Sequence, residues 1–418
     1  MSKIKTISIN EGTTLHCYSD SNFKTMRISV NMLIPITAEN AALNGILPDL
    51  VSRASREYPD YTKLGQRLSQ LYGAYIDSAV SNLGGYQVLS VSIGGIAGRY
   101  AFGGENMEKE LTTLLFSILF NPLLDSDGLF PEDGFNQEKR QILETFDTEF
   151  NDKIFYAHRR ALETLYGDSP AGINRYGTRE DVEKLDRREV TKAWNKLLSE
   201  AQFEIFTMGD CKPSVSDFEK AFENYGVSYH NKIENMKSDK IKDITEEMPL
   251  AQSKLVLGYK SCMKPDETYK YKLMSAILGG TPSAKLFLNV REKMSLCYYC
   301  SSSIDSSTGV MTVESGVETE NIEKTKAAIL EQLEEMRQGN ITDEEILHAK
   351  LAVSNVYRSV SDSLNAMEGW YLQRALRDKL DSPEDGIKAI ESITREEIIE
   401  AANSLVLDTV YVLKGTHS

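Results

Sequence analysis

The stretch "LDRREVTKAWNKLLSEAQFEIFTMGD", residues 185–210, decides the fold because the chain repeats its pattern in "ITREEIIEAANSLVLDTVYVLKG", residues 393–415. Each copy opens on a residue that caps a helix, Asp186 or Thr394, followed by a charged first turn. Each continues as an amphipathic helix and ends in an alternating strand, "FEIFTMG" or "TVYVLKG". The copies start 208 residues apart, about half of the 418-residue chain. That period is far longer than any solenoid repeat, so the echo reads as two duplicated domains.

Working outward, the two halves present their elements in the same order. Strands come first ("MRISVNMLIP", residues 26–35; "SKLVLGYK", residues 253–260). Helical periodicity covers residues 109–124, 322–339 and, as one long run, 342–367. Further strands read at "YQVLSVSIGG" (86–95) and "GVMTVESGV" (309–317). Such segregation predicts an α+β fold of two duplicated α/β sandwich domains. Residues Tyr229–Pro249, polar and charged, read as the linker between a domain at 1–228 and a domain at 250–418.

Composition narrows the function. A net charge of −15 argues against nucleic acid, whose phosphates demand a basic surface. No apolar run reaches the ~20 residues of a membrane span, and the N-terminus alternates like a strand without a signal core. A cytoplasmic location is the natural expectation. Cys17, Cys211, Cys262, Cys297 and Cys300 form an odd, scattered set. Cys297 and Cys300 make a CxxC, but it sits in the strand-like "LCYYCSSS" and does not open a helix as a redox motif does. Reduced thiols are therefore expected.

Several chemistries lack their residues. His16, His158, His230, His348 and His417 are scattered with no pair at helix spacing, whereas a zinc hydrolase needs three protein ligands and an open position for water. In "LGGTPSAKLF" the second glycine of a phosphate loop falls on Ala284 and the hydroxyl position on Leu286. "IGGIAG" lacks the order of a dinucleotide fingerprint, and no GxSxG elbow occurs.

Four segments, in the right order, carry a resemblance. They are "NGILPDLVSRAS" (44–55), "FNQEKRQILETFDTEFND" (135–152), "RYGTREDVEKL" (175–185) and "LGGTPSAKLFLNVREKMSLCYYCSSS" (278–303). Over nearly its whole length the chain resembles the insulinase/pitrilysin metallopeptidases, the inverzincins, which include mitochondrial processing peptidase. The family motif H-x-x-E-H puts two imidazoles on one helix face to hold zinc, with the glutamate as general base. Laid on this sequence, the histidines fall on Pro48 and Ser52, the glutamate on Val51 and the distal glutamate ligand on Thr145. Glu144 is one residue out of phase, a turn of ~100° on a helix. Asp49 and Glu138, two carboxylates without imidazole, suit a hard cation poorly.

The resemblance implies that the family's arginine and tyrosine, which hold substrate and stabilise the oxyanion from the second domain, are Arg291 and Tyr298. It implies two domains in a clam-like arrangement. It further implies a zinc-free subunit that lends this pair to a catalytic, H-x-x-E-H-bearing paralogue in a heterodimer, with zinc in that partner alone. Homodimers in the partner's absence, and unfolded or extended peptides as ligands, belong to the same expectation. The alternative is a structural or peptide-binding protein with no enzymatic role.

Overall fold

A computed structural model of the chain describes residues 4–229, 238, 240–377 and 379–416. Its elements gather into two compact α+β units, each built around one mixed sheet. Unit 1 comprises Met1–Asp147, Ile173–Asn231 and Ser363–Lys379; unit 2 comprises Thr148–Gly172, Lys232–Asp362 and Leu380–Ser418.

The unit 1 sheet uses β1 (Ile4–Asn10), β2 (Thr13–Ser19), β3 (Thr25–Pro35), β4 (Tyr75–Leu83), β5 (Tyr86–Ile96) and β6 (Gln202–Gly209). Their order is β1-β2-β6-β3-β5-β4. Unit 2 adds β7 (Lys242–Met248), β8 (Ser253–Lys260), β9 (Cys297–Asp305), β10 (Val310–Val317) and β11 (Val406–Gly415), in the order β7-β11-β8-β10-β9. The second order repeats β2-β6-β3-β5-β4, with a parallel first pair and antiparallel neighbours after it in both sheets. The echoed segments supply the same element twice: a helix capped by Asp186 leads into β6, and one capped by Thr394 leads into β11.

Part of the stretch expected to be a linker, 229–249, is therefore strand β7, the counterpart of β2. Its polar sequence follows from its place at a sheet edge, where most of its side chains meet water. Residues 230–237 and 239 of that stretch lie outside the described residues. The helix expected over 342–367 is in fact two, Asp343–Val360 and Leu364–Ala375, and Ser363 caps the second by accepting from the Ala366 amide. The break matters, because the two pieces belong to different units.

In unit 1, one face of β3 (Ile28, Val30, Met32) packs on a core shared with the helices Leu47–Ser52, Met107–Phe120 and Arg187–Glu200. The opposite face is polar: Arg27, Ser29 and Asn31 on β3, Glu204 on β6 and His16 on β2, all buried. The Leu364–Ala375 helix covers it. Arg27 Nε donates to Glu368 Oε2 at 2.6 Å, and Asn31 Nδ2 donates to Glu368 Oε1 and to the Glu204 carbonyl, each at 3.1 Å. A buried guanidinium persists only when so paired.

Unit 2 has the reciprocal feature. The Lys153–Tyr166 helix, from the first half of the sequence, lies on its sheet through Ala157 and Ala161 against Val256, Tyr411 and Leu413. Gly258 lets Leu165 approach, since a Cβ there would meet Leu165 Cδ1 at 2.5 Å. His158 Nδ1 lies 2.6 Å from Glu314, and Arg160 holds Glu246 at 2.7 and 2.9 Å. Neither half of the sequence supplies a complete unit.

Candidate functional site

The positions matched to the zinc motif come from two helices of unit 1. Leu47–Ser52 is short, with Pro48 in its first turn, and both Pro48 and Val51 point into the core. Ser52 Oγ is buried without a hydrogen-bond partner. Thr145, on the helix Glu132–Asn151, turns its hydroxyl to the Gln141 carbonyl of its own helix at 3.0 Å. Glu144 is exposed, 3.6 Å from Arg140. Phase decides this outcome: Glu138, not Glu144, shares the buried face with Phe135, Ile142 and Phe146.

Beside these positions lies a cavity of about 480 Å³, lined by Asp49, Ser52, Arg53, Ser78 and Glu138 among others. Arg53 forms an ion pair with the buried Glu138 and also donates to Gln137 Oε1 at 3.0 Å. Asp49 accepts from Ser78 Oγ at 2.6 Å. Burial pushes the Glu138 carboxyl up, against the pull of Arg53 and with a further push from Asp49. Burial likewise raises Asp49, against its bond from Ser78. The positive charge that faces Glu138 is thus a guanidinium carried by the residue after Ser52.

These residues do not fit zinc. The two imidazole positions hold a pyrrolidine ring and a hydroxyl, the general-base position holds a valine, and the nearby Glu138 carboxylate is already paired with Arg53. Among the described residues no group of three or more His, Cys, Asp and Glu is placed to hold a metal. His16 is a satisfied core residue, 2.7 Å from Glu204 and stacked on Phe206. His158 is bonded to Glu314 and His348 lies 3.9 Å from Glu344, whereas His230 and His417 fall outside the described residues.

Arg291 and Tyr298 lie on consecutive elements of unit 2. Arg291 belongs to a π-helical stretch, Leu286–Lys293, a wide-turned geometry often found at functional positions. Its guanidinium lies over the Phe287 ring at 4.6 Å and 3.4 Å from Glu292. Tyr298 is 57% exposed and donates to Glu318, whose bond and charge hold the phenol above its ordinary pKa. In the pairing of β9 with β10, Cys297 faces Val317 and Tyr299 faces Gly316. Tyr298 is the extra residue of a β-bulge, a device that re-aims a side chain. Both side chains reach solvent, and sequence periodicity carried no signal of either the π-turn or the bulge.

A further feature has no motif at all. β4 is an edge strand of the unit 1 sheet, paired among the described residues with β5 alone, and Ser78 carries it to the cavity wall. Such an edge presents unpaired backbone groups to an extended chain.

Comparison with known proteins agrees with this anatomy. Residues 184–353 match the family model described as peptidase M16 inactive domain. The chain is 27% identical over 413 residues to the probable inactive metalloprotease YmfF of Bacillus subtilis (strain 168), covering 97% of this chain and 96% of that one. It superposes with a TM-score of 0.90 on a conserved protein from Enterococcus faecalis V583, at 28% identity and full coverage of both chains. A peptidase M16 inactive domain from Pseudomonas fluorescens shares the fold, with a TM-score of 0.78 at 17% identity over 99% of each chain. In sequence over residues 184–353 and in fold over its whole length, the chain is similar to M16-type metallopeptidase homologues, among them a protein described as a probable inactive metalloprotease.

Proposed function

We propose that this protein is the non-catalytic subunit of a heterodimeric zinc peptidase, lending Arg291 and Tyr298 to an H-x-x-E-H-bearing partner that holds the metal. The observation that carries this reading is an asymmetry. Pro48, Val51, Ser52 and Thr145 offer no zinc ligand set, yet the half-buried Arg291 and the exposed Tyr298 reach solvent from a π-turn and a bulge. A guanidinium and a phenol are charge-complementary to an oxyanion and to a peptide carbonyl. The edge of β4 supports binding of extended peptide by strand addition, and the net charge of −15 favours basic segments.

The test is reconstitution. The chain alone should leave a library of unfolded peptides intact, and addition of a zinc-binding paralogue should give cleavage. Arg291→Ala should then lower kcat/KM by roughly 10²-fold, the usual cost of removing one oxyanion donor. Cleavage by the pair at an unchanged rate would remove the division of labour and leave a structural or peptide-binding role.

A further inference from the structure

The CxxC of β9 is not the ordinary strand arrangement that its sequence suggests. In a regular strand, residues three apart point to opposite faces. Here the bulge at Tyr298 inserts one extra residue between Cys297 and Cys300, which restores them to one face. Cys300 pairs across the sheet with Ser315 and Cys297 with Val317, two positions of one face of β10, so the two thiols are neighbours on the same face of β9. Ser315 is itself fully buried and donates to the Tyr299 carbonyl at 2.9 Å. Cys297 is half-buried, and Cys300 lies beneath it, 4% exposed.

We propose that Cys297 and Cys300 are a reversible dithiol site, oxidised to an intramolecular disulfide by a low-molecular-weight disulfide. Cys297, the accessible member, attacks one sulfur of the oxidant; that S–S bond breaks and the first small thiolate leaves, taking a proton from solvent. Cys300 then gives up its proton and attacks Cys297 Sγ, expelling the second small thiol. Two electrons pass from the protein to the oxidant, and two small thiols are released. The division of labour between the sulfurs follows their surroundings. The neighbouring Cys300 thiol, and to a smaller extent Ser315 and the Arg291 charge, hold the Cys297 thiol below its ordinary range, although burial opposes it. The Cys297 thiol and burial drive Cys300 far up. The thiolate is the nucleophile, so Cys297 attacks first and Cys300 resolves. This inference does not depend on the role proposed for Tyr298.

The experiment uses the full chain with glutathione disulfide as oxidant. Free thiols, five before treatment, should fall by two under denaturing conditions. The tryptic peptide that contains both Cys297 and Cys300 should lose two hydrogen masses and regain them with a reducing agent. Cys300→Ser should instead trap a glutathione adduct on Cys297, and Cys297→Ser should acquire no adduct at Cys300. A stable adduct on the wild-type Cys297, a bond from either residue to another cysteine, or no thiol loss at this pair would each overturn the proposal.

Discussion

The two units share a strand order and differ in what they leave at the surface. In unit 1 the polar groups of the cavity are paired with one another: the helix position after Ser52 supplies Arg53, whose guanidinium faces the buried Glu138, and Asp49 accepts from Ser78. Unit 2 keeps Arg291 and Tyr298 accessible. In a duplicated fold the two copies can thus present different polar groups, because each set rests on its own unit's packing. The covering helices differ in the same way. The Leu364–Ala375 helix is fixed in unit 1 by a deeply buried charge pair, whereas Lys153–Tyr166 is fixed in unit 2 by apolar packing and partly exposed bonds.

The comparison breaks most visibly at Glu368. Glu368→Ala leaves Arg27 buried without the Glu368 carboxylate and removes one of the acceptors of Asn31, so stability should fall by about 3–5 kcal/mol in urea unfolding. Glu314→Ala in unit 2 loses the contact with His158 in a half-exposed setting and should cost only about 1 kcal/mol. Equal losses in the two variants would erase the distinction between the covering helices.

Next in size is Arg291→Ala in the reconstituted peptidase, worth about 3 kcal/mol of transition-state stabilisation at 10²-fold. The same substitution should leave the urea midpoint of the isolated chain almost unchanged, since its charge partners there are exposed. Gly258→Ala should cost roughly 1–3 kcal/mol, because the added methyl displaces Leu165 from the face of β8.

The smallest effect sharpens the reading of the unit 1 cavity. Burial raises the Asp49 carboxyl above its unfolded value, so the folded state binds more protons than the unfolded state once the pH exceeds the ordinary carboxylate range. Stability from this group is therefore present at low pH and lost as pH rises through the raised folded value. Asp49→Asn keeps an acceptor for Ser78 and should flatten that decline, with a higher Tm at pH 7 than the parent. A parent whose stability rises over the same interval, with the rise abolished by Asp49→Asn, would show the opposite shift.

Much of the fold was legible because it is written in caps and periods. Asp186 and Thr394 mark the same helix start twice, and β3, β5 and β8 follow their apolar pattern almost to the residue. Edge strand β7 was not legible, since a strand open to water needs no apolar run. Nor was the break at Ser361–Ser363: the helical period continues across it, and only the docking of Glu368 in unit 1 shows why the chain must turn there. At the site, the residue types at Pro48, Val51 and Ser52 could be read directly from the sequence. The Arg53–Glu138 pair could not, because it joins residues 85 apart in sequence. The bulge at Tyr298 likewise depends on pairing with β10, which no local pattern encodes.

The proposal turns on unit 1 holding no metal, with the Arg53 guanidinium as the cation that faces Glu138. Metal analysis of the purified full chain, after incubation with zinc and gel filtration at neutral pH, tests it most directly. The account predicts zinc far below one equivalent, unchanged by Asp49→Ala or Glu138→Ala. One tightly held zinc per chain, lost on either substitution, would contradict it.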